Sequence, residues 1–205
     1  MFECPYITFH SAHLSLVLFL LHISSAVNAS DADVVIHSSD NVEFRLHKKN
    51  LECTTGAFPS ADTPVDPDEI VRLTESAATL EILFQFIYPR RFPSLKDLDF
   101  DSLILLAEAA EKYEVVGLIY ACEVNLRRYL TTRPKRVLEF SAKHDHLDLV
   151  NELKPILVET PLSELTGILP DHVYKPWVSG RSLLTKSAQF FKSATCRASI
   201  ENNIC

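Results

Sequence analysis

His144-Asp145-His146 is the fragment of this 205-residue chain best equipped for chemistry, because imidazole and carboxylate are zinc-ligand types. On a helix, residues two apart point about 200° around the axis from each other, so the two rings do not converge on one ion. No second pair of ligands stands nearby in sequence. The fragment is therefore read as solvated polar residues at a helix–turn junction. Five cysteines, Cys4, Cys53, Cys122, Cys196 and Cys205, are scattered with no Cys-x-x-Cys pair. That pattern speaks against a disulfide framework and against a zinc site. It fits free thiols in a reducing compartment, with Cys122 a small core residue on its helix. Serine, histidine and acidic residues are plentiful, yet no Gly-x-Ser-x-Gly elbow occurs. The four glycines, Gly56, Gly117, Gly167 and Gly180, cannot assemble a phosphate cradle. No catalytic residue, cofactor or metal is expected.

Arg127, Arg128, Arg133, Lys135 and Arg136 form a basic cluster across one helix end and the next helix start. Cations suit a helix C-terminus through its dipole. With a net charge of −7 over the whole chain, the cluster is read as a solvated face rather than a nucleic-acid contact.

The elements that would position these residues follow from periodicity. Val34-Val35-Ile36 is a β-branched run, expected of a strand buried on both faces. Ser39-Asp40-Asn41 is turn chemistry, and Val42, Phe44 and Leu46 then alternate with Glu43, Arg45 and His47. Ser76 should cap a helix through Tyr88 that presents Leu80, Leu83, Phe84 and Ile87. Asp99 should cap another with Phe100, Leu103, Ala107 and Ala110 on one face. Thr132-Arg133-Pro134 and Thr160-Pro161 open two more, the second ahead of Leu162, Leu165, Ile168 and Leu169. Pro155 should end or kink its helix.

A hairpin leading into His47-Lys-Lys-Asn-Leu51 and a helix resembles the opening of the BTB/POZ domain, and Ile70-Val71-Arg72-Leu73 looks like that family's third strand. Ala109-Ala110-Glu111-Lys112-Tyr113 and Cys122-Glu123-Val124-Asn125-Leu126 resemble that family's last core helices. Tyr88 is followed by Pro89-Arg90-Arg91 where the family has a Tyr-Thr-Gly corner. The resemblance covers Asp31 to Leu130 and implies an α+β fold, a small sheet on a cluster of helices. The stretch through Trp177 resembles the helical extension of many fungal members.

That resemblance implies a non-enzymatic protein–protein interaction module, self-associating as a homodimer, cytoplasmic or nuclear, acting as scaffold or adaptor. Asp33 and Lys48 match positions lining a polar groove between subunits. An alternative reading of the strand ends is local: Asp33 and His47 merely hold them and the first helix together. Leu51 and Phe58 are the candidates for a dimer seam. Adaptors of cullin-type ubiquitin ligases carry a hydrophobic-x-Glu element after the first helix. Here 56–65 has no such Glu, and no kelch or meprin-like substrate-binding repeats follow.

Residues 1–30 form an apolar leader outside the expected fold. The run His13–Ile23 is shorter than the roughly twenty residues a spanning helix needs, so no membrane partner is expected. Phe9-His10-Ser11-Ala12 would join smoothly to Asp31-Ala32-Asp33, so the segment His13–Ser30 reads as an inserted piece such as translated intron sequence, as a signal-like segment ending near Val27-Asn28-Ala29, or as a buried or lipid-facing helix. A true signal would make a secreted enzyme the remote alternative. Residues 31–130 are then the interaction domain, 131–178 the helical extension, and 179–205 a Ser/Thr-rich tail expected to be poorly ordered.

Overall fold

Residues 30–64 and 70–180 are described by a computed structural model of the chain. The leader (save Ser30) and tail (beyond Gly180) lie outside the described residues. Strand β1 (Val34–His37) pairs antiparallel with β2 (Glu43–Leu46), with Val34 opposite Leu46 and Ile36 opposite Phe44. Asn41 closes the intervening turn at φ 61°, a left-handed conformation that asparagine tolerates. Strand β3 (Val71–Arg72) joins the other edge of β1 in parallel, giving the order β2–β1–β3.

Two expectations for the sheet need correction. Strand β3 is only Val71–Arg72, and Ile70 is 47% exposed. The Leu73 amide still donates to the His37 carbonyl at 2.8 Å, and the Ser39 amide then donates to the Glu75 carbonyl at 2.9 Å. Val34 and Val35 are half-buried rather than buried on both faces, since β3 covers only Ile36 and His37. Phe44 and Leu46 are buried while Glu43 and Arg45 are exposed, as the alternation requires.

Helix α1 (Lys48–Thr54) follows β2 and buries Leu51. Helix α2 (Ala77–Gln85) starts at Ser76, whose hydroxyl accepts the Thr79 amide. It buries Leu80, Leu83 and Phe84, and ends before Tyr88, where Pro89 disfavours further helical backbone. Helix α3 (Phe100–Lys112) is capped by the Asp99 carboxylate, which accepts the Asp101 and Ser102 amides at 2.9 and 3.0 Å. Its Phe100, Leu103, Ala107 and Ala110 are buried. Helix α4 (Val116–Leu126) buries Leu118, Cys122 and Leu126.

A 3-10 turn (Arg127–Tyr129) leads to α5 (Pro134–Lys143), with proline in the first turn where its missing amide has no role. Helix α6 (Leu147–Ile156) ends one residue after Pro155. Helix α7 is a single turn, Leu162–Leu165, shorter than the hydrophobic spacing suggests, with Gly167 and Pro170 following. Helical backbone over 171–180 then buries Val173 and Trp177 and continues past the expected boundary at Trp177.

The chain forms two compact units. One holds the described residues up to Ser94 with Ala109–Ile119; the other holds Leu95–Glu108 and the described residues from Tyr120 on. The division therefore falls inside α3 and α4.

Candidate functional site

Three of the four residues singled out in the sequence meet at one place. Lys48 and Leu51 of α1, Phe58 and Pro59 of the following loop, Val34 and Ile36 of β1 and Val71 of β3 line a cavity of about 130 Å³. Ser60 and Thr63 complete its wall, so the lining is apolar apart from these hydroxyls and Lys48. Leu51 is only 3% exposed and belongs to the core of its own subunit. A charge placed there therefore strikes the subunit's own fold first. Phe58 is half-buried and stacks on Tyr113, with centroids 5.2 Å apart and planes 24° apart.

Asp33 stands beside this cavity through the chain's own backbone. Its carboxylate accepts the Lys48 amide at 2.7 Å, supplying the first turn of α1 with an acceptor that the adjoining His47 side chain does not provide. His47 instead meets the Tyr88 hydroxyl at 3.1 Å through Nδ1 and Asp31 at 3.3 Å through Nε2. The strand ends are thus held locally, as one of the two sequence readings has it. The Tyr88 contact was not anticipated, since nothing in periodicity links His47 to a residue past the end of α2.

Tyr113 is fixed from the other side. Its hydroxyl donates to Glu75 at 2.5 Å, and Lys112 reaches the same carboxylate at 2.8 Å. Burial and the Glu75 carboxylate together push the Tyr113 phenol up to about 12. Burial also pushes Glu75 up, but the hydrogen bonds from Lys112, Tyr113 and Thr74 outweigh it and leave Glu75 below its ordinary value. These groups brace the Phe58 stack. They offer no nucleophile paired with a base.

The other sequence candidates disperse. His144 faces Glu108 at 2.9 Å, His146 faces Glu123 at 3.8 Å, and Asp145 holds His172 at 2.8 Å. The reading of both histidines as solvated is corrected: their side chains are 18% and 12% exposed, and both rings pack on Phe140. Phe140 recurs on the buried face of α5, which draws the neighbouring rings inward. Among the described residues no cluster of three potential metal ligands occurs.

The basic cluster is likewise occupied within its own unit rather than merely solvated. Arg127 pairs with Glu123 and Glu152, Arg128 donates to the Lys96 and Leu95 carbonyls, Lys135 pairs with Glu164, and Arg136 meets Asp101. Cys122 is buried and Cys53 exposed, both as free thiols. Among the described residues no helix is long and apolar enough to cross a membrane.

The family model for the BTB/POZ domain matches residues 25–130, about half of the chain. No curated protein matches. BTB/POZ domains bind proteins and are generally non-enzymatic. A small three-stranded sheet with helices, the paired hairpin and the family match over half the sequence agree, and the chain belongs to the BTB/POZ domain family as an α+β protein–protein interaction module.

Proposed function

We propose that the chain is a scaffold or adaptor without chemistry of its own, and that it self-associates through the face around Lys48, Leu51 and Phe58. The observation that carries this reading is the apolar wall of that cavity, built from β1, α1 and the loop at Phe58. Apolar side chains of a second copy seated there would leave water at roughly 25 cal/mol per Å². Half-buried Val34, two residues before buried Ile36 on the same face of β1, carries that apolar wall outward. Across a two-fold axis each contact occurs twice, so modest patches add up to a stable pair. Asp33 and Lys48 form its polar rim in this reading. Residues 31–130 carry the interface in this reading, and 131–178 are a helical extension of the domain. The setting is cytoplasmic or nuclear.

Sedimentation of the full chain at micromolar concentration tests the reading. A dimer is expected for the parent, and Phe58→Asp should give monomer with an unchanged circular-dichroism spectrum. Leu51→Asp should unfold instead, because its charge enters the subunit's own core. A monomeric parent removes self-association. Co-precipitation of a cullin with its ring partner would reassign the chain as a ubiquitin-ligase adaptor, which the sequence of 56–65 argues against.

A further inference from the structure

The loop after α2 reads Pro89-Arg90-Arg91-Phe92-Pro93, a basic and aromatic segment in a chain of net charge −7. Both arginines are exposed. Arg91 makes no side-chain hydrogen bond or ion pair among the described residues. The Arg90 guanidinium lies over the Tyr88 ring, 5.2 Å from its centroid, and has no carboxylate partner among the described residues. Arg127, by contrast, is held by two glutamates.

Phe92 is 49% exposed yet fixed. Phe86 stacks on it with centroids 4.4 Å apart and planes 15° apart. Gly117 lies against the same ring, since a Cβ there would meet Phe92 carbons at 3.8 and 3.9 Å. Its neighbour Val116 is 58% exposed. An aromatic ring already immobilised loses little entropy when a ligand covers it.

We propose that this loop docks an acidic linear segment of another protein, with carboxylates on Arg90 and Arg91 and an apolar side chain on Phe92 and Val116. Arginine's fork suits carboxylate pairing, and the positive loop on an acidic molecule selects an acidic partner at this spot. Nucleic acid is disfavoured, because two arginines neutralise few phosphates. A second copy docked here about a two-fold axis would set the arginine pairs against each other. The loop shares no residue with the cavity at Phe58, so this proposal stands or falls separately from self-association.

The probe is a fluorescein-labelled peptide, Asp-Glu-Phe-Leu-Asp-Glu, titrated with the full chain by fluorescence anisotropy. Saturable binding is expected, weakened at least about tenfold by Arg90→Glu with Arg91→Glu, as loss of charge-assisted bonds implies. Phe92→Ala should weaken it similarly while leaving the denaturation midpoint near the parent's. Absence of binding overturns the proposal, as does equal binding by either variant. Equal binding of Lys-Lys-Phe-Leu-Lys-Lys or of Asp-Glu-Ser-Ser-Asp-Glu also overturns it. Tighter binding of a single-stranded RNA than of the peptide would assign the loop to nucleic acid and overturn it too.

Discussion

Phe84 is fully buried on α2 and meets Phe44 of β2 edge to face, with centroids 5.2 Å apart. Phe84→Ala removes that ring from a site with no access to water, so a loss of about 3–5 kcal/mol is expected. Urea denaturation checks this, and an unshifted midpoint would mean the helix face is misplaced. Tyr113 makes a different kind of contribution. Its folded-state pKa stands at about 12 against an ordinary 10, so the folded state holds this proton more tightly than the unfolded chain. The associated stability is complete below pH 10 and is lost as pH rises toward 12. Tyr113→Phe should flatten stability across that alkaline window, which thermal melts at stepped pH can follow. Hydrophobic spacing made Phe84 readable in the sequence. The Tyr113–Glu75 bond was not, because it joins residues far apart in the chain whose types fit many surface roles.

Helix α1 shows what periodicity leaves out at the scale of elements. It has seven residues, one of them buried, too few for a helix to stand by itself. Its first amide is satisfied by Asp33, a residue before β1, which reaches it because the hairpin brings strand start and helix start together. Asp33→Ala should cost about 0.5–2 kcal/mol, the range for a lost N-cap, without altering the hairpin. Chemical denaturation measures the loss, and Asp33→Asn should restore most of it. The hairpin, the Ser76 and Asp99 caps and the proline-opened helix α5 were all legible, because each rests on neighbours in sequence. Strand β3 and helix α7 came out shorter than their apolar residues suggest. The first is limited by a distant partner, two residues of β1, and the second by the breakers Gly167 and Pro170 just after it, which outweigh the apolar spacing. The Phe58 cavity was half legible, through Lys48, Leu51 and Phe58, while Val34, Ile36 and Val71 read only as strand residues.

For the molecule as a whole, the sheet begins its pairing at Asp33, whose amide donates to the Leu46 carbonyl at 3.1 Å, and Asp31 reaches His47. A chain starting at Asp31 keeps both contacts. It should therefore match the full chain in denaturation midpoint within about 0.5 kcal/mol, as expected where no specific contact is removed. Unfolding on truncation would show that the leader takes part in the fold. The same sheet has a temporal side. Its hairpin is local and can close in about 1–10 μs, as isolated hairpins do. Strand β3 must instead find His37 from Val71 onward, closing a long loop for a pairing of two residues. The Leu73 amide, bonded to the His37 carbonyl at 2.8 Å, then reports the last step of sheet assembly. Under native-state deuterium exchange it should open before the amides of the β1–β2 ladder, so the sheet comes apart in two events rather than one.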